Sequence, residues 1–171
     1  MLTVLLLNDA GMAMNYAHEL KSVVDAATPR LLALGERSAA RPAPGKWSPR
    51  EIIGHLVDSA SNNHQRFVRG QLQDDLVFPG YAQEDWVRIG RYADAPWDDL
   101  VTLWRTFNLQ LARVMEAAPE ETRRRPRAKH SFEEIGVNKP AGEPPCLDHI
   151  MADYVAHLNH HLTQILEASP R

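Results

Sequence analysis

One cysteine, Cys146, stands in a chain of 171 residues, so an internal disulfide is impossible and a Cys-rich zinc framework is excluded. Any metal must be held by other ligands, and a reducing, cytoplasmic setting is the expectation. Charge of one sign is also missing: 19 Lys and Arg against 22 Asp and Glu leave a net charge of -3 and no general basic field for nucleic acid. Long apolar runs are absent. The opening Met1 to Leu7 is apolar but lacks a basic flank and is stopped by Asn8-Asp9, too short for an export signal or a span. No membrane association is expected, and residues 1 to 11 read as an extension or tail. No Gly-rich phosphate loop, G-x-S-x-G elbow or H-E-x-x-H motif occurs, which removes the common nucleotide, serine-hydrolase and zincin readings.

What is present is helical periodicity. Hydrophobic residues make up 44% and charged residues 24%, the balance of a soluble globular chain, and the length suits one domain over residues 1–171. Tyr16, Leu20, Val23, Val24, Leu31, Leu32 and Leu34 mark a first helix that Pro29 should bend or restart. Ser48-Pro49-Arg50-Glu51 combines an N-cap, Pro at N1 and Glu at N3, the signature of a capping box, and opens a second helix that runs to about Gly70. Pro79-Gly80 and several aromatics make 71–95 a long crossover with one short helical turn expected near 82–87. A third helix follows Pro96 to about Ala118. Residues 119–145 read as a polar connection, with Arg123 to Lys129 as a solvated run, and a last helix spans Cys146 to Ala168. Four helices without strand patterns predict an all-α four-helix bundle with long crossover loops.

Histidine is plentiful, with eight in the chain. His157 and His161 lie four residues apart in the last helix, so both rings project from one face at a spacing that can grip one ion. His55 sits among the apolar residues of the second helix and should face inward as the third donor. A core histidine and a chance i, i+4 pair are the plain alternatives. Around these, Ser59 and Asn62 return to the face of His55, and Asp58 and Asp153 are candidate outer acceptors for an imidazole N–H. His64 is out of phase with His55. His149 is a rim candidate. Cys146 has no evident His or carboxylate partner and reads as a small buried residue.

Gly45-Lys-Trp-Ser-Pro-Arg-Glu-Ile-Ile-Gly-His-Leu-Val-Asp-Ser59, taken with His157-x-x-x-His161-Leu-Thr-Gln-Ile165, resembles the DinB-like superfamily and its YfiT-type metal-dependent enzymes. The resemblance covers nearly the whole chain. It implies an up-up-down-down bundle, a divalent ion, commonly zinc or nickel, on His55, His157 and His161, and a homodimer. It also implies an activity: transfer of a low-molecular-weight thiol such as bacillithiol or mycothiol to an electrophilic small molecule. Metal-dependent hydrolysis, and a metal-binding or stress-response bundle without turnover, are the alternative expectations.

Overall fold

The computed structural model describes residues 15–167. The reading of residues 1 to 11 lies outside them. Four long helices carry the core: α1 (Tyr16–Leu32), α2 (Pro49–Leu72), α4 (Trp97–Ala117) and α7 (Leu147–Glu167). Three short ones occupy the connections: α3 (Gln83–Gly90), α5 (Glu120–Arg124) and α6 (Phe132–Ile135). Pro29 lies inside α1 without ending it, three residues from the C-terminus of the helix. The capping box at α2 forms as its sequence dictates: Glu51 N–H donates to Ser48 Oγ, and Ser48 N–H donates to Glu51 Oε2 at 2.8 Å.

Cross-helix contacts fix the directions. Trp97, opening α4, donates Nε1–H to Leu31 O at 2.8 Å, and Lys21 pairs with Glu116 at 2.6 Å, so α1 and α4 run antiparallel. The α2 helix starts beside the end of α1, where Arg50 Nε donates to Ser38 Oγ at 3.0 Å, and its last turn meets the first turn of α7 at Gly70 and Leu147. His55, early in α2, faces His157, late in α7, which makes that pair antiparallel too. Tyr16 lies near Asp148, so α1 and α7 start at the same end. The order is therefore up-down-down-up, which corrects the up-up-down-down expectation. The cause lies in the connections. The α1–α2 segment turns back at one end through a 3₁₀ turn over Gly35–Ala39, whereas the α2–α4 crossover runs the length of the bundle and returns the chain parallel to α2.

The core is packed by residues of all four long helices, with Leu20, Leu31, Ile53, Leu56, Phe67, Trp104, Leu111, Leu147 and Ile150 among its largest fully buried side chains. Inside it, Tyr154 Oη donates to Asn108 Oδ1 at 2.5 Å, which satisfies both polar groups between α7 and α4.

The two long connections are stitched to each other. Leu76 N–H donates to Lys129 O at 2.9 Å and Ser131 N–H to Leu76 O at 3.1 Å, an isolated parallel bridge. Arg127, only 2% exposed, donates to the carbonyls of Gly70, Gln73, Thr122 and Arg125. Arg123 pairs with Asp148, Arg124 with Glu120, and Arg125 with Asp74. Within the run expected to be solvated, Arg127 is buried and Arg123 nearly so, because carbonyls and a carboxylate of neighbouring segments need their guanidinium donors, whereas Arg124, Arg125 and Lys129 stay exposed. No helix among the described residues is long and apolar enough to cross a membrane.

Candidate metal centre

The apolar face of α2 carries His55 into the bundle, where it is completely buried. Across from it, the 3.6-residue repeat of α7 sets His157 and His161 on one face. Their Nε2 atoms converge: His55 Nε2 lies 3.2 Å from His157 Nε2, which lies 3.1 Å from His161 Nε2. One nitrogen from each residue can be chosen so that all three lie within 4.8 Å of one another.

Burial pushes the His55 imidazole down to about 3 and that of His157 to about 4, and neighbouring histidines push both the same way. His161 is lowered as well, chiefly by burial. At neutral pH all three rings are therefore uncharged and each has a lone pair to give. Gln164 fixes which nitrogen offers it on His161: the Nδ1–H donates to Gln164 Oε1 at 2.9 Å, leaving Nε2 bare. Gln164 is itself held by its Nε2–H, which donates to His160 Nε2 at 2.9 Å.

The donor set fits one divalent ion. Imidazole nitrogens at tetrahedral angles and about 2.0–2.1 Å from an ion stand roughly 3.3–3.4 Å apart, close to the His55–His157 and His157–His161 spacings, and the whole set lies within 4.8 Å. Hydrogen bonding alone satisfies the trio poorly, since His157 Nε2 faces two other ring nitrogens and holds at most one proton.

Trp47, delivered by the loop before α2, packs its ring 5.2 Å from that of His55 and also lines a groove of about 460 Å³. Arg41, Arg88 and Arg91 border that groove with Glu51, Glu84 and Asp94, so its lining carries both signs.

The outer candidates fare differently. Ser59 is buried, receives Asn63 Nδ2–H at 3.4 Å and faces Tyr81. Asn62 donates to the backbone of its own helix, at Asp58 O. Asp153 Oδ1 accepts from Asn138 N–H at 3.1 Å and so anchors the loop before α7; it is not an acceptor for His157. Asp58 binds Tyr92 Oη–H through Oδ1 at 2.6 Å. His64 packs on Phe107, away from the trio, as its phase required.

His149 is not at the rim. It caps the opposite end of α7: Cys146 N–H donates to His149 Nδ1 at 3.2 Å, the thiol lies 3.1 Å from the same nitrogen, and His149 Nε2 faces Glu143 Oε2 at 3.0 Å. Cys146 therefore has a histidine partner that its sequence surroundings did not reveal, and Glu143 reaches that histidine from an aperiodic loop. Burial nevertheless pushes the thiol up, so it stays protonated at neutral pH. The arrangement is a helix cap of the capping-box kind, with Cys146 and His149 in place of the usual Ser and Glu.

The family model described as the DinB superfamily matches residues 20–165. The chain belongs to the DinB superfamily. A Bacillus licheniformis relative, named provisionally as a metal-dependent hydrolase, is 24% identical over 121 residues, which cover 71% of this DinB chain and 64% of the relative. The chain thus spans just under two thirds of that relative's length. The solved structure of YfiT from Bacillus subtilis, described provisionally as a metal-dependent hydrolase with an unusual four-helix bundle topology, matches with a TM-score of 0.71 at 17% identity. That match covers 95% of this chain and 91% of YfiT, and it shows a shared fold.

Proposed function

We propose that this DinB-superfamily chain is a metal-dependent enzyme in which His55, His157 and His161 hold one divalent ion, zinc or nickel, and a low-molecular-weight thiol is transferred to an electrophilic small molecule. The convergence of three uncharged imidazoles with their Nε2 atoms face to face carries this reading. A divalent ion bound there supplies the acidity that brings a thiol or a water molecule to its nucleophilic form near neutral pH. The protein's own part is to present three neutral donors in a partly buried site, to fix the His161 tautomer through Gln164, and to wall the site with Trp47. The groove beside Trp47 offers room for an organic reactant next to His55. Its 460 Å³ falls within the range of small-molecule sites, and its mixed charge suits a thiol that carries both amine and carboxylate groups.

Hydrolysis is the second reading, favoured by the provisional descriptions of the two relatives. Metal-loaded protein assayed against a panel of electrophiles, with and without thiols including bacillithiol and mycothiol, separates the two. Turnover that requires a thiol supports transfer, and turnover that persists without one replaces it with hydrolysis. A homodimer belongs to the same proposal, and light scattering of purified protein at several concentrations tests it.

A further inference from the structure

Two buried polar atoms of α2 have no hydrogen-bond partner, Nδ1 of His55 and Oδ2 of Asp58. They are complementary. With Nε2 of His55 turned toward His157, the ring proton belongs on Nδ1, which is then a donor, whereas a carboxylate oxygen is an acceptor. Both residues are more than nine-tenths buried, His55 fully and Asp58 with 8% of its surface exposed. Three positions apart on one helix, they project as neighbours about one turn from each other.

The carboxylate is also held. Tyr92 Oη–H donates to Asp58 Oδ1 at 2.6 Å, and the Tyr92 ring is seated on Gly54, where an added Cβ would lie 2.0 Å from Tyr92 Cγ. That contact is at the residue immediately before His55, so one wedge from the crossover fixes Asp58 beside the imidazole.

We infer that Asp58 is the positioning residue of His55: its Oδ2 receives the His55 Nδ1–H through one buried water, and Tyr92 holds the carboxylate for that purpose. A donor and an acceptor that are otherwise dry meet the polar requirement of a buried water, and an outer carboxylate both fixes the tautomer and strengthens the ring as a ligand. It does for His55 what Gln164 does for His161. The inference rests on His55 being a metal ligand, but its first readout does not.

The experiment begins with ¹⁵N-labelled, metal-free protein. Imidazole nitrogen and proton shifts are expected to show His55 as the Nδ1–H tautomer in the wild type and as a mixture with Nε2–H in Asp58→Ala. Zinc affinity, measured by competition with a chromophoric chelator, should fall 10- to 100-fold in Asp58→Ala and less in Tyr92→Phe. An unchanged tautomer together with zinc affinity within twofold of wild type would overturn the inference. If the wild type takes up no zinc, the metal reading fails, and the tautomer alone then decides: a shift in Asp58→Ala supports the relay, no shift overturns it. Should Asp58→Ala not fold, Asp58→Leu, of closer volume and without any acceptor, is read the same way.

Discussion

At the scale of single residues, the candidate centre depends on three nitrogens, and each is separately removable. Elemental analysis of untagged protein should give close to one equivalent of zinc or nickel per chain, falling to near zero in His55→Ala and in His157→Ala. Retention of the ion in either variant would refute the three-histidine site. Melting of His157→Ala separates a catalytic from a structural ion, with near-normal folding and lost turnover expected for catalysis. Gln164→Leu keeps all three rings but removes the acceptor for His161 Nδ1, so metal affinity should drop on the order of 10-fold while the helix survives. Helical periodicity made His157 and His161 legible as one face and His55 as an inward residue, and the family resemblance brought the three together. Gln164, three residues beyond His161, obeys the same rule and was within reach of it. Tyr92 on Asp58, and Glu143 with His149 on Cys146, were not legible, since Tyr92 and Glu143 lie in connections whose path no periodicity encodes.

At the scale of elements, the long helices were readable from their own residues and their arrangement was not. Ser48, Pro49 and Glu51 announce the start of α2, and Ser48→Ala should cost about 1 kcal/mol, read as a lower melting temperature. The directions depend instead on which connection turns back and which crosses over, and loop composition carries little of that. Arg127 illustrates why: in sequence it is one of a row of basic residues, yet it alone is fully sunk among four carbonyls. Arg127→Ala would leave those acceptors unpaired and should destabilise the fold by about 2 kcal/mol or more, whereas Arg125→Ala, at a half-exposed ion pair, should cost well under 1 kcal/mol. Chemical denaturation of the two variants side by side tests the contrast. Gly54→Ala is a sharper case, because the new methyl must displace the Tyr92 ring; a loss of about 1–3 kcal/mol is expected from overpacking, with loosening of the hydrogen bond to Asp58.

At the scale of the whole molecule, burial of neutral histidines ties stability to pH. Folding holds His55 at about 3 and His157 at about 4, below the ordinary 6.5, so the unfolded chain takes up these protons first as pH falls. Their contribution is therefore complete above about pH 6.5 and is lost progressively as pH falls through that range toward 4 and 3. Thermal melts of chelator-treated protein should show this decline, and His157→Gln should flatten part of it. A wild-type slope no steeper than that of the variant would contradict the linkage. The facing nitrogens of His55 and His157 also stand 102 positions apart in the chain. During synthesis, α2 and the crossover leave the ribosome long before α7 exists, so a nascent chain owns one donor of the three. An ion held by all three could therefore be taken up only after translation, by the finished protein. The apo fold must accordingly hold its shape before the three donors have anything to bind, which the helix packing around His55 provides.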